Sequence, residues 1–315
     1  MSFSAEVKHE LSRHMGEGRH CQIAEVAAMI NMCGKVHKDS AGEVVEIKLQ
    51  TENPTVARKY FTLLKKTFNM NVEIAVRSNM QLKRHRTYYV LLKGAEETKR
   101  VLQACKLWSG EGFVKRIHPL VVQTTCCKRA YIRGAFLAAG SISDPEKTYH
   151  LEFVDTEEAH SEALVHLLQQ FEVDAKTVLR KKYHVVYLKE GRQIVDLLNI
   201  MEAHVGLMSL ENTRILKEMR NNVNRIVNCE TANINKTVSA AVRQTQDIQL
   251  IEETVGLSRL PEALEELARI RLEYSEASLK ELGEMLGNPI GKSGVNHRLR
   301  KISEYAEQLR AQMEE

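Results

Sequence analysis

Tyr131-Ile-Arg-Gly-Ala-Phe-Leu-Ala-Ala-Gly-Ser141 combines an apolar helical run with small residues, so that Gly134, Ala135, Ala138 and Ala139 leave one helix face almost without side-chain bulk. Helix axes usually lie about 8 to 10 Å apart, at a distance set by the contacting side chains, so such a face predicts a partner helix at the short end of that range. Cys21 to Val36 supplies it, with Ala24, Ala27 and Ala28 and a terminal glycine, Gly34, that matches Gly140.

The segments after the two glycines match as well. After Gly34 come an alternating strand Val45–Leu49, an amphipathic helix from Pro54 to Phe68 carrying Leu63-Leu64, and a basic hairpin from Glu73 to Lys93. After Gly140 come a strand Tyr149–Phe153, a helix from Glu157 to Phe171 carrying Leu167-Leu168, and a basic hairpin from Lys176 to Lys189. Two copies of one unit are the economical reading, and repeats are sought first because a missed one misassigns the whole fold. Repeat one is expected at about 21–108 and repeat two at about 126–207, each closed by a helix (Gly94–Cys105 and Arg192–Met201), within a domain spanning 1–207.

The two glycine-ended segments resemble the paired central helices of LAGLIDADG homing endonucleases. That resemblance implies an α+β fold, a duplicated αββαββα saddle over DNA, with the helices along a pseudo-two-fold axis. In that family the acidic residue just before each terminal glycine holds a catalytic divalent metal. Here those positions are Cys33 and Ala139, neither of which is a hard oxygen ligand of the kind Mg²⁺ prefers. The sequence therefore predicts no catalytic residue, no metal and no cofactor. The nearest carboxylates downstream, Asp39 and Asp144, read as turn residues, since Ser143-Asp144-Pro145 is turn chemistry.

Composition sets wide bounds. A net charge of +4, 43% hydrophobic and 27% charged residues suit a soluble globular chain that can bind nucleic acid without being obliged to. The first fifteen residues carry charge throughout and lack an apolar run, and no uncharged stretch approaches membrane-spanning length, so a cytoplasmic, nucleoid-associated location is expected. Six cysteines (21, 33, 105, 126, 127 and 229) form no C-x-x-C pair and no alternating Cys/His spacing. By spacing alone that argues against zinc and for reduced thiols.

At the N-terminus Phe3 to Leu11 reads as a short helix capped by Ser4. The two hairpins carry acid-free basic turns at equivalent repeat positions. Lys83, Arg84 and Arg86 in the first and Arg180, Lys181 and Lys182 in the second are therefore candidate phosphate contacts, which position a duplex without reading it.

Residues 208–245 form an expected connecting helix. It is rich in Asn and Arg, yet Ile215, Met219, Val223, Ile226 and Val227 recur at helical spacing, as on a helix docked against a neighbour. Residues 246–315 read as an all-α helix-turn-helix domain. Pro261 opens one helix, Ser278-Leu-Lys-Glu281 is a capping box for a short second one, Gly287–Gly291 breaks it, and Ser293 can cap the last. The apolar positions Val295, Leu299, Ile302, Ala306 and Leu309 set the buried stripe. Ser293, Asn296, His297, Arg300 and Lys301 then face outward, with Arg298 at the edge of the stripe. Side chains at the start of a recognition helix reach the major groove, where Arg reads guanine and Asn reads adenine.

Four blocks make the chain as a whole resemble the WhiA family of bacterial regulators: Ser2–Leu11, Cys126–Ser141, Asn224–Lys236 and Gly291–Lys301. The resemblance implies a sequence-specific DNA-binding transcriptional regulator of cell division, chromosome segregation and sporulation, built on a catalytically inactive nuclease-like scaffold. Its implied partner is double-stranded DNA, with room for protein co-regulators. Lys292, Ser293, Asn296, His297, Arg298 and Arg300 are the implied base-reading set. Two other readings stay open: a metal-dependent endonuclease with a displaced active site at Asp39 and Asp144, and a platform acting through protein or RNA partners.

Overall fold

The computed structural model describes residues 2–40, 42–79, 85–110 and 112–314. The chain divides into two compact units, Met1–Lys217 and Glu218–Glu315.

The first unit opens with α1 (Phe3–Arg13). Its N-cap is Ser2, whose hydroxyl accepts from the Ala5 N–H, and not Ser4 as the sequence suggested. Phe3 is already helical, so the Ser4 hydroxyl is left to accept from Ile142 N–H at 3.3 Å. Repeat one then runs α2 (Arg19–Cys33), β1 (Gly34–Lys38), β2 (Val44–Thr51), α3 (Pro54–Phe68), β3 (Glu73–Asn79), β4 (His85–Lys93) and α4 (Ala95–Ala104). A two-stranded ribbon, β5 (Trp108–Ser109) and β6 (Gly112–Phe113), leads to repeat two. That repeat runs α5 (Thr125–Ala139), β7 (Gly140–Ile142), β8 (Leu151–Asp155), α6 (Glu158–Gln169), β9 (Lys176–Arg180), β10 (Tyr183–Leu188) and α7 (Gly191–Met201). The sheets are ordered β1-β2-β4-β3 and β7-β8-β10-β9, so the duplication read from sequence extends to strand order.

The small-residue faces meet as the spacing predicts. Ala24, Ala27, Ala28, Gly134 and Ala135 are buried between α2 and α5. A Cβ on Gly134 would stand 2.6 Å from the Glu25 carbonyl oxygen and 3.0 Å from the Ala28 Cβ, so backbone meets backbone there. Ala28 and Gly134 occupy equivalent positions of the two helices, which puts the repeat axis at this crossing.

Two buried polar networks flank the axis, one from each of the equivalent positions Glu25 and Tyr131. On one side the Glu25 carboxylate lies 3.1 Å from Lys59 Nζ and 3.7 Å from Arg133 Nε, all three buried. Lys59 also donates to the His14 carbonyl, and Arg133 reaches the Met201 carbonyl and Glu202. Burial pushes the Glu25 carboxyl up, and the cations of Lys59 and Arg133 pull it back.

On the other side His160 Nδ1 donates to Asp155. His160 Nε2 and the Tyr131 hydroxyl share a hydrogen bond of 2.8 Å, and that hydroxyl accepts from Asn31 Nδ2 at 2.8 Å. Asp155 sits in the core-facing row of β8 with Leu151 and Phe153, and Lys115 pairs with its carboxylate. Burial alone would raise this acid, but the His160 hydrogen bond and charge, then Lys115, outweigh it and hold it at about 2. A folded-state value below the unfolded one makes this contribution fully present above about pH 4, and it is lost as pH falls toward 2. Urea titrations of the wild type should lose on the order of 2 kcal/mol across that window, and Asp155→Asn should show a flatter profile there. Parallel profiles would remove Asp155 as the cause.

The second unit takes most of a 51-residue helix, α8 (His204–Thr254). The expected limits at 207/208 and 245/246 both fall inside it, because no proline interrupts the periodic stretch between. Its N-terminus is held in the first unit by Glu10, whose carboxylate accepts from the Val205 and Gly206 N–H groups at 2.8 and 2.9 Å. The apolar positions expected to dock instead stay exposed, from Ile215 at 50% to Met219 at 60%.

After a 3₁₀ turn (Leu257–Arg259) come α9 (Glu262–Glu273), α10 (Leu279–Met285) and α11 (Lys292–Glu314). Their core joins Ile248 and Ile251 of α8 to Leu267, Leu282, Val295, Leu299, Ile302 and Ala306. The capping box at Ser278 and Glu281 is formed as its sequence predicts.

Candidate nucleic-acid interface

Burial of Val295, Leu299, Ile302 and Ala306 fixes the rotation of α11, and Lys292, Ser293, Asn296, His297, Arg300 and Lys301 are exposed on its other surfaces. Ser293 is not the cap. The Gly294 and Val295 N–H groups go to the Gly291 carbonyl, so the helix begins at Lys292 and the Ser293 hydroxyl lies free of capping in its first turn. Arg298 is half-buried and donates to the Ala263 carbonyl of α9 at 3.3 Å, where it braces α11. Arg300 is exposed and held by Glu304 one turn on, at 3.2 Å. Asn296 and Arg300 share a shallow cleft with Arg243 and Gln244 of α8.

The turn between α10 and α11 is longer than the usual three or four residues, and the structure shows how it is accommodated. Ile290 N–H donates to the Gly283 carbonyl at 3.1 Å, and a Cβ on Gly283 would stand 2.2 Å from the Ile290 carbonyl oxygen. Gly283 thus lets the turn fold back onto α10. Sequence reasoning missed it, although a glycine inside a short helix is itself a signal of close backbone approach.

Of the hairpin cations in the first unit, Lys83 and Arg84 lie outside the described residues, and Arg86 is exposed on β4. In the second repeat Tyr183 pairs with Arg180, so Lys181 and Lys182 form the turn; both are exposed, and Lys181 has left-handed backbone (φ 58°). Arg180 is partly engaged by Glu152 at 3.2 Å. Strand alternation adds residues not singled out from sequence. With Ile47, Leu49, Val90 and Leu92 buried, Lys48 and Tyr89 lie on the other face of their sheet, Lys48 Nζ 4.2 Å from the Tyr89 ring centroid. In repeat two His150 stacks on Tyr187 at 6.0 Å.

At the ends of the central helices, Cys33 donates to the Met29 carbonyl at 3.3 Å, and burial pushes its thiol up to about 11; Ala139 is half-buried at the equivalent position of the second repeat. Neither presents a carboxylate. Asp39 accepts from the Glu43 N–H and Asp144 from the Glu146 N–H, so each organises the turn beyond its strand.

These features define a class: a duplicated LAGLIDADG-like domain leading into a helix-turn-helix. Family models cover nearly all of it, described as the WhiA N-terminal LAGLIDADG-like domain (residues 19–108), the WhiA LAGLIDADG-like domain (128–220) and the WhiA C-terminal HTH domain (223–306). The chain belongs to the WhiA family. It is 56% identical over 314 residues to "Probable cell division protein WhiA" of Lachnoclostridium phytofermentans, covering 98% of this chain and 100% of that one. The corresponding protein of Alkaliphilus oremlandii is 53% identical over 313 residues, 98% of each chain. A crystal structure of full-length DUF199/WhiA from Thermatoga maritima superposes with a TM-score of 0.62 at 26% identity, covering 98% of this chain and 99% of that one. Among the described residues no helix is long and apolar enough to cross a membrane.

Proposed function

We propose that this protein is a sequence-specific double-stranded-DNA-binding transcriptional regulator acting in cell division, and that its LAGLIDADG-like domain performs no cleavage. The observation that carries the reading is the first three turns of α11, where Lys292, Ser293, Asn296, His297, Arg300 and Lys301 are all exposed on a helix whose opposite side is fixed in the core. Asn and Arg so placed have the donors and acceptors that distinguish base pairs in the major groove. Arg298, tied to α9, fits a supporting or phosphate-contacting role better than base reading. The exposed hairpin cations Arg86, Lys181 and Lys182 suit phosphate contacts that add affinity without specificity. The names carried by close relatives support the link to cell division; sporulation and chromosome segregation are further expectations of the same reading. Cys33 and Ala139 support the absence of cleavage, since two-metal or one-metal phosphodiester chemistry needs oxygen ligands at those ends.

Arg300→Ala should weaken binding to a cognate duplex by about 1 to 3 kcal/mol and relax preference at one base pair, and Lys182→Ala should weaken all duplexes alike and flatten the salt dependence. Selected-duplex binding with the purified full chain checks both. Equal binding by wild type and the Asn296→Ala, Arg300→Ala double variant would discard α11 as the reading helix. Nicking of supercoiled DNA in Mg²⁺ that is abolished by Asp144→Ala would establish the endonuclease reading instead.

A further inference from the structure

The first turns of α2 and α5 hold a second constellation, distinct from the two buried polar networks and from the exposed face of α11. His20 and Cys21 in α2 stand at the same helical positions as Cys126 and Cys127 in α5, so the repeat brings four soft donors to one end of the paired helices. One ligand atom from each lies within 4.8 Å of all the others. His20 Nδ1 is 3.0 Å from Cys127 Sγ and 3.4 Å from Cys21 Sγ. A tetrahedral zinc ion, with Zn–S of about 2.3 Å and Zn–N of about 2.0 Å, separates its sulfur ligands by about 3.8 Å and a sulfur from a nitrogen by about 3.5 Å. The two sulfur–nitrogen separations fall short of the latter value by about 0.5 and 0.1 Å, and the sulfurs lie within 4.8 Å of one another. Small rotamer changes close the difference.

We propose that His20, Cys21, Cys126 and Cys127 bind one thiophilic divalent cation of the Zn²⁺ class in a closed Cys₃His site that clamps the two repeats together. Four protein ligands with no open position is the pattern of a structural site. Loading releases the three thiol protons, leaving a complex of net charge −1 seated between the N-termini of two helices, whose macrodipoles favour negative charge. Cys21 and Cys127 are buried and His20 and Cys126 exposed, so the site is dry on its inner side and reachable from solvent on its outer side. Gly18 fits the same picture. Its backbone (φ −79°) suits any residue, yet a Cβ there would stand 2.5 Å from His20 Nε2. The imidazole therefore lies over the glycine with its Nδ1 turned to the thiols.

This is not the position at which LAGLIDADG nucleases hold metal. That lies at the other ends of α2 and α5, at Cys33 and Ala139, and calls for carboxylates. The spacing rule that argued against zinc looks only at ligands close in sequence, whereas here each half-site is a dipeptide and the pair is made by the duplication.

The test uses the full-length protein purified under reducing conditions. Zn²⁺ measured by mass spectrometry should be about one per chain, and Co²⁺ alone, added to chelator-stripped protein, should give the intense visible bands of tetrahedral cobalt with a near-ultraviolet thiolate charge-transfer band. Cys126→Ser, at the exposed rim, should keep the native circular dichroism and bind Zn²⁺ at least about tenfold more weakly against a competing chelator. His20→Ala should shift the cobalt spectrum, and Cys229→Ser, on α8, should change nothing. Fully reduced, folded wild type without stoichiometric Zn²⁺ and with only weak octahedral cobalt absorption overturns the proposal. So does equal Zn²⁺ affinity in wild type and Cys126→Ser, or a thiol count two short of six that traces to a disulfide within the cluster.

Discussion

Glu25→Ala should cost about 3 to 5 kcal/mol of unfolding free energy, the range for removing one partner of a buried ion pair. Glu25 is 0% exposed, and its loss leaves the Lys59 ammonium and the Arg133 guanidinium without their shared carboxylate. Arg133 retains Glu202 and the Met201 carbonyl, whereas Lys59 keeps, among the described residues, only the His14 carbonyl and the Met15 sulfur. Lys59 is therefore where most of the penalty falls. Replacing both members by apolar residues of similar volume, Glu25→Leu with Lys59→Met, should recover most of the loss, because a well-packed apolar pair often matches a buried ionic one. Urea midpoints of the single and double variants measure this. A double variant no more stable than Glu25→Ala would show that the cost is one of packing and not of an orphaned charge.

Gly134→Val should be the most damaging change at the axis, at about 3 kcal/mol, the upper end of the overpacking range. Even a methyl group there would meet the Glu25 carbonyl at 2.6 Å, and a carbonyl of the facing helix backbone cannot rotate away. The helices would have to separate, which pulls at Ala28 and at both polar networks together. The same substitution at Gly191, whose nearest would-be contact is the Tyr149 ring at 3.4 Å, serves as the comparison and should cost clearly less. Thermal unfolding of the pair decides it: equal losses would mean that the close approach of α2 and α5 is not what the added side chain disrupts.

The small-residue faces, the matching glycines and the Leu-Leu helices were legible because each is a local pattern repeated, and stacking the copies generates the fold. The outward set on α11 was legible for a related reason, since one apolar stripe fixes the rotation of the whole helix. Two local readings shifted by two residues each, Ser2 for Ser4 and Gly291 for Ser293. The first residue to take helical dihedrals is decided by packing of the adjoining chain, and a second serine or glycine nearby offers an almost equal alternative.

The amino-acid sequence by itself determined the duplication and the helix-turn-helix. Both are written in residue types at short, periodic spacings, and periodicity is what the backbone geometry of helices and strands reads out. It also places Cys33 and Ala139 ahead of the two glycines, where the resemblance to LAGLIDADG nucleases implies acids. Tertiary structure alone decided that Glu25 meets Lys59 and Arg133, that Tyr131 is coupled through His160 to Asp155, that Gly283 receives the Ile290 carbonyl, and that His20-Cys21 faces Cys126-Cys127. Those partnerships depend on where helices distant in the chain cross. No spacing along one strand of sequence encodes a distance across an interface.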